Sequence, residues 1–239
     1  MEEQYLLLFG ASPFGVILAE RLYASTRLKT IVVDDLMESA NSVKQELSSA
    51  GIPAASFALE SFSRKALRGL FGDVLKSEIL RHLVVGKSLS PWTMTVKEIL
   101  QRNLYEKAAF LEAARESVTE GSSGVVLTSF SGSRTPQLTV EQRERVTSVT
   151  AEELLELEFL QPAKMESTFH AFQMSNACLE ARVHLENTHW MQCGGFLRCI
   201  SPGILTTSHS LDCLSDFSRL DGMDEALLQV LSALHDNQN

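Results

Sequence analysis

Residues 5–22, YLLLFGASPFGVILAERL, and residues 29–35, KTIVVDD, decide the fold of this chain. The first stretch opens with an apolar run that ends at Gly10, and it continues with apolar residues at helical spacing over 15–25. The second stretch is a β-branched run that ends in two aspartates. Strand, glycine turn, helix and strand in this order predict a βαβ unit with two parallel strands.

The rest of the chain continues the alternation of helices and strands. We predict further helices near 38–50, 62–77, 94–118, 166–188 and 222–235, and further strands at 54–58, 81–86, 124–132 and 196–200. We therefore expect one α/β domain over residues 1–239, a Rossmann-like doubly wound parallel sheet of six strands with helices on both faces.

Segment 133–165 interrupts this alternation. It is polar at first and then carries the acidic and leucine-rich stretch ELLELEFL. Thr150 and Glu153 have the spacing of a capping box in front of that stretch, which predicts a helix. We interpret the segment as a helical insertion that forms a surface lobe.

Composition and charge exclude several classes of function. The 239 residues carry a formal net charge of −9, with no basic cluster suited to a phosphate backbone, so nucleic acid is not expected as a partner. No run approaches the length of an apolar membrane span, and the acidic start MEEQYLLLFG does not resemble a secretory signal. The four cysteines have no metal-ligand spacing. We expect a cytoplasmic protein that binds neither metal nor membrane.

The first turn after a strand is the candidate nucleotide-binding element. Gly10 allows a tight turn, and Gly15 allows the following helix to pack closely on the sheet. Ser12 occupies the place of a middle glycine and adds a hydroxyl group. Backbone N–H groups at this helix start would face a pyrophosphate, although Pro13 and Phe14 are bulkier than such a turn usually carries.

Asp34 ends the second predicted strand, 19 residues after Gly15. A carboxylate at this place suits hydrogen bonds from an adenosine ribose and repels a 2′-phosphate, so the pattern favours NAD(H) over NADP(H). The alternative is that both glycines serve only the turn and the helix packing, with Asp34 capping the next helix.

Four pieces of the chain, in order, resemble the short-chain dehydrogenase/reductase family over almost the whole length. They are the glycine turn; RNLYEKAAFLEAA with Asn103; VVLTSFSG with Ser129; and HAFQMSNACLEARVHLENTHWMQCGGFLRCISPGILTT. The resemblance assigns Asn103 and Ser129 to the catalytic site, and it assigns to the cofactor the loop residues Pro202, Gly203 and Thr207. The insertion also resembles the 3α-hydroxysteroid dehydrogenase/carbonyl reductase branch.

The departures from the family bear on catalysis. Phe172 stands where the family has its catalytic tyrosine, and Asn176 stands where it has a lysine. The motif after the fourth strand, expected at the cofactor, is reduced to Gly86 and its neighbours, and we expect the last strand of the family to be missing. A phenyl ring cannot donate a proton to a carbonyl oxygen, so we expect ordinary family chemistry to be absent or very slow.

Other side chains could act in place of the tyrosine. His170 and Tyr105 are candidates, but helical geometry directs them away from Phe172 and Asn103, and the first is more simply a helix-start histidine. Lys87 could supply a positive charge near the cofactor. Ser129 could bind a substrate oxygen or only satisfy a strand end.

Three functions follow from these observations. The first is an NAD(H)-binding protein with a degenerate active site at Phe172 and Asn176. The second is an atypical oxidoreductase, or a non-redox isomerase or cyclase, that uses Ser129 on an apolar small molecule. The third is a structural or interaction subunit. Since the insertion and the missing strand would disturb the usual tetramer contacts of the family, we expect a monomer or homodimer.

Overall fold

The computed structural model of the chain describes residues 3–75, 78–86, 91–128, 136–201 and 221–235. Its centre is a sheet of six parallel strands in the order β3-β2-β1-β4-β5-β6. The strands are β1 Gln4–Phe9, β2 Lys29–Asp34, β3 Ala54–Ala58, β4 Ile79–Val85, β5 Ser123–Leu127 and β6 Phe196–Ile200. The predicted doubly wound sheet of six strands is therefore confirmed.

Helices cover both faces of this sheet, as right-handed crossovers between parallel strands require. One face carries α1 Pro13–Thr26, α2 Met37–Ser49 and α8 Asp221–His235. The other carries α3 Arg64–Arg68, the stretch α4 Val96–Ile99 to α5 Glu106–Ala114, and α7 Thr168–Gln192. A π-helical turn, Leu100–Tyr105, joins α4 to α5, and another, Gly69–Val74, follows α3. None of the described helices is both long and apolar enough to cross a membrane.

The apolar pattern of the strands explains the two cores. Strand β1 is buried on both faces over residues 5–9, as a central parallel strand must be. Tyr5, Leu7 and Phe9 pack on the side of α5 and α7, whereas Leu6 and Leu8 pack on the side of α1 and α8. The alternation follows from the two-residue period of a strand, and it fixes the register of the whole sheet.

The segment after β5 contains one helix where it was not predicted and lacks the helix that was. Helix α6, Val140–Ser148, begins with a capping box between Thr139 and Gln142. The predicted helix over ELLELEFL is wrong: three short 3₁₀ turns, Leu154–Glu156, Glu158–Leu160 and Pro162–Lys164, replace it. Leu154, Leu157 and Leu160 are buried in the core at a spacing of three, which suits the three residues per turn of a 3₁₀ helix.

The predicted hydrogen-bonded pair of Thr150 and Glu153 is nevertheless present in this segment. The Glu153 carboxylate accepts hydrogen bonds from both the backbone N–H and the hydroxyl of Thr150, at 2.8 and 2.9 Å. The predicted pairing of Thr150 with Glu153 is therefore present, but no α-helix follows it, and burial of the three leucines determines the path of the chain.

The first half of helix α7 is enclosed by its neighbours. All nine residues 171–179 are buried, which a helix shows only when it is covered on every side. Its Arg182 donates to the carbonyl oxygens of Val146 and Val149, at 3.1 and 2.6 Å, and forms an ion pair with Glu112. This arginine therefore holds the inserted segment and α5 against α7.

Candidate functional site

The candidate site lies at the carboxyl ends of β1 and β4, where the strand order reverses and doubly wound sheets leave a crevice for ligands. Gly10 follows β1 with a φ of 105°, a left-handed conformation that an L-residue adopts only with strain. Its N–H donates to the carbonyl oxygen of Val33, 2.9 Å away. The tight turn expected from the sequence is present, and it needs a glycine.

The amino end of α1 uses several of its own donors. Ser12 is the N-cap, and its hydroxyl oxygen accepts from the N–H of Gly15 at 3.2 Å. Pro13 has no N–H to offer. The ring of Phe14 lies in the core, so it does not cover the turn. Among the described residues, the N–H groups of Ser12 and Phe14 are the amides that a ligand phosphate could still bind.

Gly15 packs closely on β1, as predicted. A Cβ atom at this position would lie 3.4 Å from Cδ1 of Leu8 and 3.5 Å from the hydroxyl oxygen of Ser12. Gly86 at the end of β4 differs, because a Cβ there would meet Cδ1 of Leu127 at an ordinary 3.7 Å. Its N–H donates to the Phe9 carbonyl oxygen at 2.9 Å, which binds the end of β4 to β1.

Asp34 ties the end of β2 to the glycine turn. Its carboxylate accepts from the N–H of Ala11 at 2.8 Å and from the N–H of Leu36 at 3.2 Å, and the residue is 3% exposed. These bonds use part of the acceptor capacity of the two oxygens, since each oxygen carries two lone pairs. Asp35 forms an ion pair with Arg102 at 3.0 Å. Two carboxylates thus mark this side of the crevice.

Phe172 and Asn176 lie one turn apart on α7 and are both buried, at 7% and 3% exposure. The Phe172 carbonyl oxygen accepts from the Ser175 hydroxyl at 2.8 Å and from the Asn176 side-chain amide at 3.0 Å. The side-chain oxygen of Asn176 is buried without a hydrogen-bond partner. The positions that the resemblance assigns to acid and lysine therefore hold an apolar ring and an amide with one free acceptor.

The remaining predicted site residues divide into two groups. Asn103 is buried in the π-helical turn between α4 and α5, on the helix that packs against α7. Ser129, Pro202, Gly203 and Thr207, together with Lys87, lie outside the described residues, so their predicted roles remain predictions.

The two proposed substitutes for the tyrosine are engaged elsewhere. The Nδ1 atom of His170 accepts from the N–H of Glu166 at 3.2 Å, so this imidazole serves the start of α7. Its ring borders a separate cavity of about 740 Å³, together with Arg145 and Phe159 of the inserted segment. The hydroxyl of Tyr105 donates to the Phe62 carbonyl oxygen at 3.1 Å. Neither group is directed at Phe172.

Lys107 is a buried group that the sequence analysis did not identify. It lies on α5, is 1% exposed, and its amine makes no hydrogen bond. Burial lowers the pKa of this amine from 10.5 to about 8. A signal was present in the sequence, because Lys107 falls within the buried helical stripe Leu100, Leu104, Leu111 and Ala114.

Within the described residues, no group of three or more histidine, cysteine, aspartate or glutamate side chains could hold a metal ion. The polar groups that the described residues offer near the crevice are backbone amides, two carboxylates, a buried amide and a buried amine.

The comparisons with known proteins are structural. Neither a protein-family model nor a curated protein sequence matches the chain. The fold, however, is that of short-chain oxidoreductases. A 3-alpha-hydroxysteroid dehydrogenase from Pseudomonas sp. B-0831, complexed with NADH, superposes with a TM-score of 0.69 at 14% identity, over 96% of this chain and 89% of the other.

Two further structures agree. A citronellol catabolism dehydrogenase from Pseudomonas aeruginosa PAO1 gives a TM-score of 0.65 at 15% identity, covering 98% of this chain and 88% of the other. A metagenomic short-chain oxidoreductase in complex with NADP gives a TM-score of 0.65 at 15% identity, covering 100% of this chain and 94% of the other. Identities this low establish a shared fold and do not single out a branch.

Proposed function

We propose that this protein binds NAD(H) weakly at the carboxyl edge of the sheet and does not carry out ordinary carbonyl reduction or alcohol oxidation. The observation that carries the proposal is the contrast between the glycine turn and α7. The turn has the left-handed Gly10 and a helix start that point to a nucleotide, whereas α7 has no proton donor at Phe172.

The amides at the amino end of α1 support a weak pyrophosphate site. They lie at the positive end of the helix dipole, which attracts phosphate groups. Ala11 and Gly15, however, already donate their N–H groups to Asp34 and Ser12. A phosphate would meet the amides of Ser12 and Phe14, fewer donors than the turn would offer without these internal bonds. This supports binding that is present but weak.

The two carboxylates after β2 support NAD(H) over NADP(H). Asp34 could accept a hydrogen bond from a ribose hydroxyl, while a 2′-phosphate close to Asp34 and Asp35 would face like charges. The ion pair of Asp35 with Arg102 neutralises only part of this negative charge. Known structures of the same fold hold either NADH or NADP, so the preference must come from these local residues.

The chemistry of α7 supports the lack of ordinary turnover. When bound, a nicotinamide supplies a hydride, and the carbonyl oxygen must then receive a proton. Phe172 has none to give, and the Asn176 amide is bonded to the Phe172 carbonyl oxygen. The loss of one positioned acid typically lowers the rate by a factor of ~10²–10⁴.

A fluorescence titration tests nucleotide binding. We expect saturable quenching by NADH with a dissociation constant in a weak range, on the order of 0.1–1 mM, and at least about tenfold weaker binding of NADPH. Asp34→Asn removes one of the charges that oppose the 2′-phosphate, so it should narrow the difference between the affinities for NADH and NADPH. The matched control is Asp73→Asn, because Asp73 is an exposed carboxylate in the π-helical turn Gly69–Val74. Absence of saturable NADH binding would overturn the proposal.

We also propose that the protein is a monomer or homodimer in the cytoplasm. The inserted segment contacts α7 through Arg182, and the first half of the helix is buried, so α7 offers a second chain only the exposed face of its second half, with Glu180, His184 and Thr188. Cys178 and Cys199 carry free thiols, which suits a reducing compartment. Light scattering that gave a stable tetramer would contradict the assembly, and export of the native protein would contradict the location.

A further inference from the structure

Nucleotide binding does not explain why Lys107 is buried with an unpartnered amine. Lysine is rarely buried without a partner, because an isolated ammonium is costly to remove from water. Here the amine is enclosed by the apolar core of α5 and α7 and has no hydrogen-bond partner. No carboxylate of the described residues forms an ion pair with it. Such an environment favours the neutral amine, which is a nucleophile.

Two neighbouring ion pairs show which residues of α7 lie beside Lys107 of α5. Glu112 pairs with Arg182, 70 positions later, and Arg115 pairs with Glu186, 71 positions later. Helices α5 and α7 therefore run side by side in the same direction. The same offset places Lys107 at the level of Ala177 and Cys178, directly after Asn176.

Two elements of the sheet locate the amine near the carboxyl edge. Burial raises the pKa of the Cys199 thiol, near the end of β6, to about 11, and this thiol lies close enough to Lys107 for the two groups to interact electrostatically. The Cys199 thiol also donates to the hydroxyl of Thr128, 3.6 Å away, and Thr128 directly follows β5. The amine thus lies beneath the ends of β5 and β6, between α5 and α7.

We propose that Lys107 is a carbonyl-binding nucleophile that forms a Schiff base with a small aldehyde or ketone. The amine nitrogen attacks the carbonyl carbon, the carbonyl π electrons pass to oxygen, and a proton moves from nitrogen to that oxygen. The resulting carbinolamine loses its hydroxyl group together with the remaining proton of the nitrogen as water, and an imine is left on Lys107. No oxidant or reductant is consumed, and hydrolysis reverses the step.

Asn176 has a defined part in this reaction. Its unpartnered side-chain oxygen, on the facing helix, accepts a hydrogen bond from the carbinolamine hydroxyl or from the protonated imine. The same residue that cannot replace a lysine on α7 can therefore stabilise an adduct of the lysine on α5. The inference is independent of nucleotide binding.

Reductive trapping tests the proposal. The native protein is incubated at pH 7.5 with propionaldehyde and sodium cyanoborohydride, without nucleotide, and peptide mass spectrometry measures the rate of alkylation at each lysine. Because a larger fraction of its amine is neutral, we expect Lys107 to be alkylated at least about tenfold faster than the exposed Lys97 on α4. In urea the two lysines should react at equal rates.

Variants separate chemistry from structure. Asn176→Leu should slow alkylation of Lys107 by about tenfold and leave that of Lys97 unchanged. Lys107→Met should eliminate the adduct while NADH titration is unaffected. If Lys107 in the native protein reacts no faster than Lys97, the proposal is wrong, whatever the nucleotide titration shows. Failure of NADH to bind, with fast trapping at Lys107, would instead overturn the proposed function alone.

Discussion

The first βα turn and the start of α7 lie at the same edge of the sheet, but they differ in what their residues supply. At the turn, backbone geometry carries the function, and Gly10 has the left-handed conformation that it requires. At α7, side-chain chemistry would carry it, and Phe172 and Asn176 supply packing instead. On the proposed function the two regions are separable, because backbone groups would bind the nucleotide at the turn whether or not the side chains of α7 include a proton donor.

We expect the largest effect from a substitution that removes the packing contacts of α7. Arg182→Met removes two hydrogen bonds to carbonyl oxygens and leaves Glu112 without its ion pair. We expect a loss of about 3–5 kcal/mol in the free energy of unfolding, measured by urea denaturation. Arg143→Met on the exposed side of α6 is the control and should change it by less than about 0.5 kcal/mol. A similar loss in both variants would break the claim that α7 serves packing.

Lys107→Met is expected to stabilise the protein. The pKa of this amine is lowered on folding, so the unfolded state holds more protons between pH 8 and 10.5 and stability rises with pH in that window. Below pH 8 the cost of burying the amine is fully present, and the variant should be more stable by up to about 3 kcal/mol at pH 7.

The pH dependence of this gain in stability distinguishes removal of a buried charge from an improvement in packing. The gain should vanish as the pH rises past 10.5, whereas Lys97→Met should show no such trend. Urea denaturation at pH 7 and at pH 10.5 measures both variants. A gain of equal size at the two pH values would show that the charge of Lys107 is not involved.

Gly10→Ala tests the backbone side of the comparison. A φ of 105° costs an alanine about 1–2 kcal/mol, and relief of that strain would move the amides of the turn. We expect this loss of stability together with weaker NADH binding. Gly51→Ala, at a φ of 77° before the amino end of β3, is the control: it should also lower stability but leave NADH binding unchanged. Unchanged NADH affinity in Gly10→Ala would separate the turn from the nucleotide.

Ser12→Gly is the smallest and sharpest change. It releases the N–H of Gly15 from the Ser12 hydroxyl and costs only a few tenths of a kcal/mol as a cap substitution. We expect NADH to bind about two- to fivefold more tightly, because one more amide can face the phosphate. Ser167→Gly at the N-cap of α7 removes the matching bond to His170 and should leave the affinity unchanged.

Much of the fold could be predicted because its signals are local. Five apolar residues before Gly10, and a β-branched run before Asp34, are sufficient for two buried parallel strands. The predicted ranges of β3 and β6 agree with the structure residue by residue. The stretch ELLELEFL was misjudged because its leucines fit a helix, while burial of Leu154 and Leu157 against the core favours tighter turns.

The site could be predicted only in part, for a different reason. Gly10 and Asp34 reveal themselves by spacing along the chain, and both lie at the crevice. The state of Lys107 depends on which side of α5 faces α7 and on the absence of a partner there, which sequence spacing alone does not fix. Charge within a helix normally indicates a solvated surface, and that expectation concealed this amine.

Turnover is the most direct test of the central claim, that a nucleotide crevice here lacks a proton donor. The wild type and the Phe172→Tyr/Asn176→Lys double variant are mixed with NADH and a panel of ketones, and nicotinamide absorbance is followed. We predict no turnover by the wild type and a gain of ~10²–10⁴ in the variant. Wild-type turnover equal to that of the variant would contradict the account.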